Sequence, residues 1–532
     1  MSASFYILCA SWMLLLLSGG GKNLIIWAAF CAVSLFSLLL ARPLKTGRGS
    51  LLLLWTIWLL ACSAFSLEPL NSFAGIGLWM GCFVCYLAAS SASRRESALF
   101  VKILLWTAGV FSLLVLAGAA FGVESGKLLL PPNRNYAAAV IACAFGASAW
   151  DFIGAERGTR RCVVCGALLL LMLSALLVLK SRGALMGASA GLAFACVQRG
   201  RKRLLVWLGG GVLAAALLAP ALFSPILKSH DAFRYERLHI WASAFKACAD
   251  KPLFGWGPGC FERAYLQNNF PAFNGFSYYN YYTGNAHSQL LQQAAETGLA
   301  GAALFALFFL PPLLRSGRGA ERERAMLMAF AVISLVDGIM ALPLIAATMF
   351  LLAGLLDSGA GQDGAYPLPA AVAPLALSLF LAAYDTYGGL VLSPMNGERY
   401  AAASASALTP PQAAELLSRA VELAPENAVY RMRLAAVIED TGLRGLAWPQ
   451  LARAVELEPN SPAVAQQMAL LLNAKGDAEG AAAFLAIARG NAARFAAYKP
   501  QSGYERALLA CDPAAVEKLE AAAASGKNRK RR

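Results

Sequence analysis

Val163-Val-Cys-Gly-Ala-Leu-Leu-Leu-Leu-Met-Leu-Ser-Ala-Leu-Leu-Val-Leu179 is a run of 17 residues without a charge. As a helix rising 1.5 Å per residue it would be about 25 Å long, close to the hydrocarbon thickness of a bilayer. It stops at Lys180-Ser-Arg-Gly-Ala184, and a second uncharged stretch, 183–198, starts at once. Similar blocks stand on either side, among them Leu24–Ala41 and Leu299–Leu314. The fold class is therefore all-α, a polytopic transmembrane helical bundle.

Working outward, the composition agrees. Of 532 residues, 58% are hydrophobic and 14% charged, with a mean hydropathy of +0.57. A soluble domain averages about 45–50% apolar and about 25% charged, so a soluble enzyme and a disordered chain are both excluded. The formal charge of +15 first suggests nucleic acid. Its distribution argues for topology instead: residues 408–532 hold 16 basic and 13 acidic residues, leaving 29 against 17 in the apolar part.

Candidate spans are 5–19, 24–41, 50–66, 72–92, 98–121, 135–153, 162–179, 183–198 and 204–222. After a polar interval come 288–314, 325–342, 343–356 and 367–390. The loops at 42–48, 94–102, 157–161, 199–203 and 315–324 carry 17 basic residues, whereas the alternate loops carry five: Lys22, Lys127, Arg134, Lys180 and Arg182. The positive-inside rule makes the first set cytoplasmic, so the interval 223–287 is expected outside, on the periplasmic face of an inner (cytoplasmic) membrane. Residues 325–356 read as two helices broken at Pro343, because 32 apolar residues would reach about 48 Å as one helix. That reading gives thirteen spans and an external C-terminus; a single helix would give twelve and an internal one.

Two octapeptides repeat near the C-terminus. Ser418-Arg-Ala-Val-Glu-Leu-Ala-Pro425 recurs 34 residues on as Ala452-Arg-Ala-Val-Glu-Leu-Glu-Pro459, and a weaker unit runs from Leu470 through Ala488. Thirty-four is the tetratricopeptide period, so 408–510 is expected to form a TPR-like α-solenoid, followed by a basic tail, 511–532. Such a stack offers a surface to a protein partner or serves as a spacer. The organisation expected is thus N-terminal transmembrane helices (1–222), an aromatic-rich loop (223–287), C-terminal transmembrane helices (288–390), the repeats and the tail.

The loop 223–287 is where chemistry concentrates. Sixteen of its 65 residues are Phe, Tyr or Trp, and it holds all three histidines, His230, His239 and His287, with Arg234, Arg237 and Arg263. Aromatic side chains pack on sugar rings and also gather at membrane interfaces, as the Tyr278–Tyr282 cluster could. Cys248 and Cys260 lie in the same loop, where the compartment permits a disulfide. The pairs Cys82/Cys85 and Cys162/Cys165 read as small buried hydrophobes, so no metal or other cofactor is expected. Arg182 sits where one span ends and the next begins, either marking the helix end or serving a functional site. Arg134, in Asn133-Arg-Asn-Tyr-Ala137, is expected on the same face. Convergent guanidinium groups suit an anionic, phosphate-bearing ligand.

Several stretches resemble the O-antigen ligase family: Ser181-Arg-Gly-Ala184, Arg237-Leu-His-Ile-Trp241, Pro252-Leu-Phe-Gly-Trp-Gly-Pro-Gly-Cys-Phe261, and Ala286-His287 leading to Glu296-Thr-Gly298. Asn133-Arg-Asn-Tyr-Ala137 is similar to that family's Asn-x-Asn segment, and Ser288 departs from the Asn usual there. The resemblance covers roughly 125–305. It implies a metal-independent glycosyltransferase of the O-antigen ligase or polysaccharide polymerase type. The donor would be a glycan on a polyprenyl diphosphate (undecaprenyl diphosphate being the bacterial form), and the acceptor a saccharide, lipid-linked sugar or protein hydroxyl. Carried over, His287 would orient or deprotonate the acceptor, while Arg182 and Arg237 neutralise the leaving diphosphate. Arg134, Asn135, Arg234, Trp241 and Glu296 would bind substrate. A flippase of lipid-linked glycan, or a TPR scaffold with a degenerate site, are the other classes the sequence leaves open.

Overall fold

The computed structural model describes residues 2–40, 48–123, 131, 133–207, 209–210, 236–269, 281–314, 319–358, 369–391, 397–441, 444–496, 498–500, 502–512 and 514. The chain is an all-α helical membrane protein, with no strand among the described residues. It divides into two compact units. One comprises Met1–Arg234, Lys251–Gly259 and Asn285–Leu381; the other comprises Tyr235–Asp250, Cys260–Gly284 and Ala382–Arg532.

The first unit is the apolar bundle. Pro69–Ser90, Arg94–Phe121, Arg134–Gly154, Arg160–Leu179 and Gln289–Leu314 are long and apolar enough to cross a membrane, and shorter apolar helices such as Ala3–Leu17 and Pro343–Asp357 accompany them. Helix limits follow local signals. Ser93 and Glu96 form a capping box before Arg94–Phe121, which ends on Gly122 in the left-handed conformation. Thr159 and Asn133 cap the helices that start at Arg160 and Arg134.

Three helices form the inner part of the site: Arg134–Gly154, Arg182–Gln198 and Glu321–Val336. The first is buried along nearly its whole length and is rich in alanine and glycine. Small residues let backbones approach, the usual way helices associate in lipid. A Cβ on Gly146 would lie 3.2 Å from the Gly191 Cα and 2.9 Å from the Ala325 carbonyl, so neither side of that crossing has room to grow. Arg160–Leu179, by contrast, exposes Val163, Val164 and Leu170.

The expected pair of helices over 325–356 is present as Glu321–Val336 and Pro343–Asp357. The break begins earlier than Pro343. Asp337 is fully extended (φ −148°, ψ 148°), and a single 3-10 turn, Ile339–Ala341, leads into the proline. Most of the candidate span 204–222, the segment 223–235 with His230 and Arg234, and the tail beyond 514 lie outside the described residues.

In the second unit, Glu236–Asp250 and Phe261–Asn268 belong with the C-terminal helices Pro410–Leu423, Ala428–Asp440, Arg444–Leu457, Pro462–Ala474 and Ala478–Arg494. The two repeated octapeptides occupy equivalent places, at the C-terminal ends of Pro410–Leu423 and Arg444–Leu457. Leu266 and Tyr281 share one core with Ala428, Met432, Leu451, Ala454 and Phe495. Part of the aromatic loop thus folds with the repeat region rather than as a separate domain. Cys248 and Cys260 are both free and buried, so no disulfide joins them.

Candidate functional site

Within the first unit, Pro252–Gly259 lies against the start of Gln289–Leu314. That helix is interrupted at Gly298 (φ 70°, ψ −178°), a backbone state open essentially to glycine alone. The kink turns backbone groups of 295–299 toward the loop. Trp256 and Gly257 donate from their amides to the Ala295 and Glu296 carbonyls at 3.0 and 2.8 Å, and Leu299 donates to the Pro252 carbonyl at 2.9 Å. Gly255, Gly257 and Gly259 all have positive φ, as sharp turning required, and a Cβ on Gly255 or Gly298 would overlap backbone across the contact. Trp58 completes the clamp: its indole donates to the Thr297 carbonyl at 2.9 Å and its ring stacks on Phe254.

This scaffold fixes the approach to His287. Glu296 is buried and accepts from the Gln292 amide at 2.7 Å, and Gln292 in turn accepts from the Ala286 backbone amide at 2.7 Å. Asn285 accepts from the His287 amide at 2.7 Å, and its own amide reaches the Gly338 carbonyl at 3.4 Å. His287 itself has φ +49°, one of two described non-glycine residues with positive φ. Strain of that kind in a residue without a Cβ-free excuse persists only where surrounding contacts over-determine it.

The imidazole faces Asp337, with Nδ1 3.3 Å from Oδ1. Asp337 Oδ1 also accepts from the Gly338 amide at 2.9 Å, and Oδ2 from the Asn135 side chain at 3.1 Å. Asp337 is buried, while the His287 side chain keeps 36% of its surface exposed. A carboxylate at Nδ1 selects the tautomer that leaves Nε2 unprotonated, the arrangement a general base needs.

Of the residues proposed from sequence, the structure joins His287, Asn135 and Glu296 in one hydrogen-bonded surround. Glu296 is linked to the Ala286–His287 backbone through Gln292. Arg182 opens its helix beside Asp337: a Cβ on the adjacent Gly183 would lie 3.7 Å from the Asp337 Cβ. Arg182 is half-buried, Arg134 exposed, and neither has an ion-pair partner among the described residues. Arg237 and Trp241 lie one helical turn apart on Glu236–Asp250, in the second unit, each half-buried. Arg234 is outside the described residues.

Arg263 pairs with buried Glu458 at 3.3 Å and donates to the Leu457 carbonyl. One expectation is corrected. Tyr281 does not face sugar or lipid: it is buried, its ring lies 5.0 Å from Phe495 and its hydroxyl donates to Glu458 at 2.8 Å. Burial drives the Glu458 carboxyl above the usual range, against the opposing pull of Arg263, and pushes the Tyr281 phenol well up. His239 is likewise buried, with Tyr265 edge-on to it. Sequence reasoning passed over Asp337. Its signal was available as a lone acid inside the apolar stretch 325–356, where a charge is costly.

A family model described as O-Antigen ligase matches residues 167–306. The match covers Arg182, Arg237, Trp241, His287 and Glu296, about a quarter of the chain, and stops short of Asn135 and Asp337. No curated protein matches the chain. The similarity supports a membrane glycan ligase or polymerase type of function. Among the described residues no three His, Cys, Asp or Glu side chains gather as a metal site would require.

Proposed function

We propose that the protein transfers a glycan from a polyprenyl diphosphate donor to a hydroxyl acceptor at the external face of the cytoplasmic membrane. The observation that carries this reading is His287, oriented by Asp337 at the same helix ends that present Arg134 and Arg182. His287 Nε2 takes the acceptor proton, the acceptor oxygen bonds to the anomeric carbon, and the bond from that carbon to the diphosphate oxygen breaks. The departing diphosphate gains charge, which fixed cations in a water-poor site stabilise better than solvent does. Arg182 supplies one cation, with Arg134 beside the path of the phosphates. The family resemblance gives Arg237 the same role and Trp241 a sugar contact.

The second unit bears on sidedness. Leu266 and Tyr281 share one core with the repeat helices, which argues that these parts lie on one side of the membrane. With the loop external, the C-terminal helices are external too, which favours the thirteen-span arrangement. There a TPR-like stack would offer a surface to a partner protein.

Reconstituted protein in liposomes, given polyprenyl-diphosphate-linked glycan and acceptor, tests the reading by mass spectrometry. Release of free polyprenyl diphosphate together with a new glycosidic product is expected. Movement of donor between leaflets without bond formation would favour a flippase instead.

A further inference from the structure

The three helices that hold the site also have opposite ends. From Asn135 to Asp151, from Arg182 to Arg199 and from Asp337 back to Glu321, each spans about 24 Å at 1.5 Å per residue. Those far ends line an open cavity of about 270 Å3, bordered by Arg94, Arg161, Arg199 and Arg322 and by Asp151, Glu321 and Glu323.

The carboxylates there are engaged. Asp151 accepts from Arg161 at 3.0 Å and from Arg322 at 2.6 and 2.8 Å. Glu323 accepts the Ser97 hydroxyl at 2.5 Å, and Glu321 the Gly319 amide at 2.9 and 3.0 Å. Arg94 and Arg199, both exposed, have no carboxylate partner among the described residues. Arg199 is nonetheless held in place. It lies over the Trp150 ring, 3.8 Å from the centroid, and a Cβ on Gly154 would overlap its guanidinium. A topology marker needs only a charge in water. Arg199, exposed but fixed against Trp150, lines the same open cavity as the exposed Arg94, so two guanidinium forks without carboxylate partners are offered to an anion there.

We propose that this cavity binds a phosphate group, with Arg94 and Arg199 as its ligands, at the face of the membrane opposite His287. Guanidinium forks match phosphate oxygens bidentately. Basic pockets between spanning helices near the basic-loop face are where anionic headgroups bind, so the phosphate belongs either to a phospholipid or to a soluble anion. Bound there, it would tie together the ends of the helices beginning at Arg94 and Glu321 and those ending at Gly154 and Gln198. The proposal does not depend on the transferase reading.

The test measures the thermal unfolding midpoint of the full chain in detergent, titrated with phosphatidylglycerol, phosphatidylcholine, or inorganic phosphate at constant ionic strength. A rise with phosphatidylglycerol alone, weakened about tenfold or more in Arg94→Gln/Arg199→Gln, identifies a headgroup site. A rise with inorganic phosphate, lost in the same variant, identifies a soluble anion. No rise with either phosphate, or equal titrations for wild type and variant, overturns the proposal. Should the glutamine variant not fold, Arg94→Lys/Arg199→Lys is read by the same criteria, since it keeps the charge and loses the fork.

Discussion

Replacing Gly298 by alanine perturbs the joint on which the site rests. At φ 70°, ψ −178° an L side chain is strained by about 1–3 kcal/mol before any contact is considered. The new Cβ would also overlap the Leu253 carbonyl, and backbone cannot swing away as a flexible side chain can. Relief would require separating the 252–259 turn from the kink, with loss of the three backbone hydrogen bonds to Ala295, Glu296 and from Leu299. At about 1 kcal/mol net for each bond, the total loss is about 4–6 kcal/mol. The assay is thermal unfolding of purified protein in detergent, where a fall of about 5–15 °C is expected. Gly490→Ala serves as the control. That glycine lies inside Ala478–Arg494 with nothing within 4 Å of a built Cβ, so alanine should stabilise by up to about 1 kcal/mol. A Gly298→Ala protein that melts with the wild type and retains its activity would refute the account of this joint.

Asp337→Asn keeps shape and removes the charge facing Nδ1, so glycan transfer should fall at least about tenfold while helix content and donor binding hold. Glu458→Ala removes the acceptor shared by Arg263 (side chain 11% exposed), Tyr281 and Tyr504, and should cost the second unit up to about 3–5 kcal/mol in a denaturation experiment. Because burial raises the Glu458 pKa, the folded form holds that proton more tightly than the unfolded one. Its contribution is therefore full below about pH 4.3 and is lost as pH rises through the higher native value; Glu458→Gln should flatten this part of the stability–pH curve.

Apolar runs such as Val163–Leu179 made the bundle legible, since bilayer thickness restricts what such a run can become. Arg182 stood out as one of few charges on the sparsely basic set of loops, and the role expected of His287 came from the resemblance of Ala286-His287 to the family. Asp337 was not, because its meaning depends on contacts with Asn135 and His287, 202 and 50 residues away along the chain. The surroundings of Arg263 and Tyr281 were hidden for a related reason. Residue type alone cannot distinguish an arginine facing substrate from one that neutralises a buried glutamate, and Glu458 lies 195 residues on. The glycines of 255–259 were legible as turns, but their partner surface at Gly298 needed the tertiary fold.

His287→Ala in proteoliposomes, measured by single-turnover transfer from a polyprenyl-diphosphate-linked glycan, tests the central claim most directly. The account predicts a rate at least about a hundredfold lower, with donor binding retained. Transfer at the wild-type rate would contradict it.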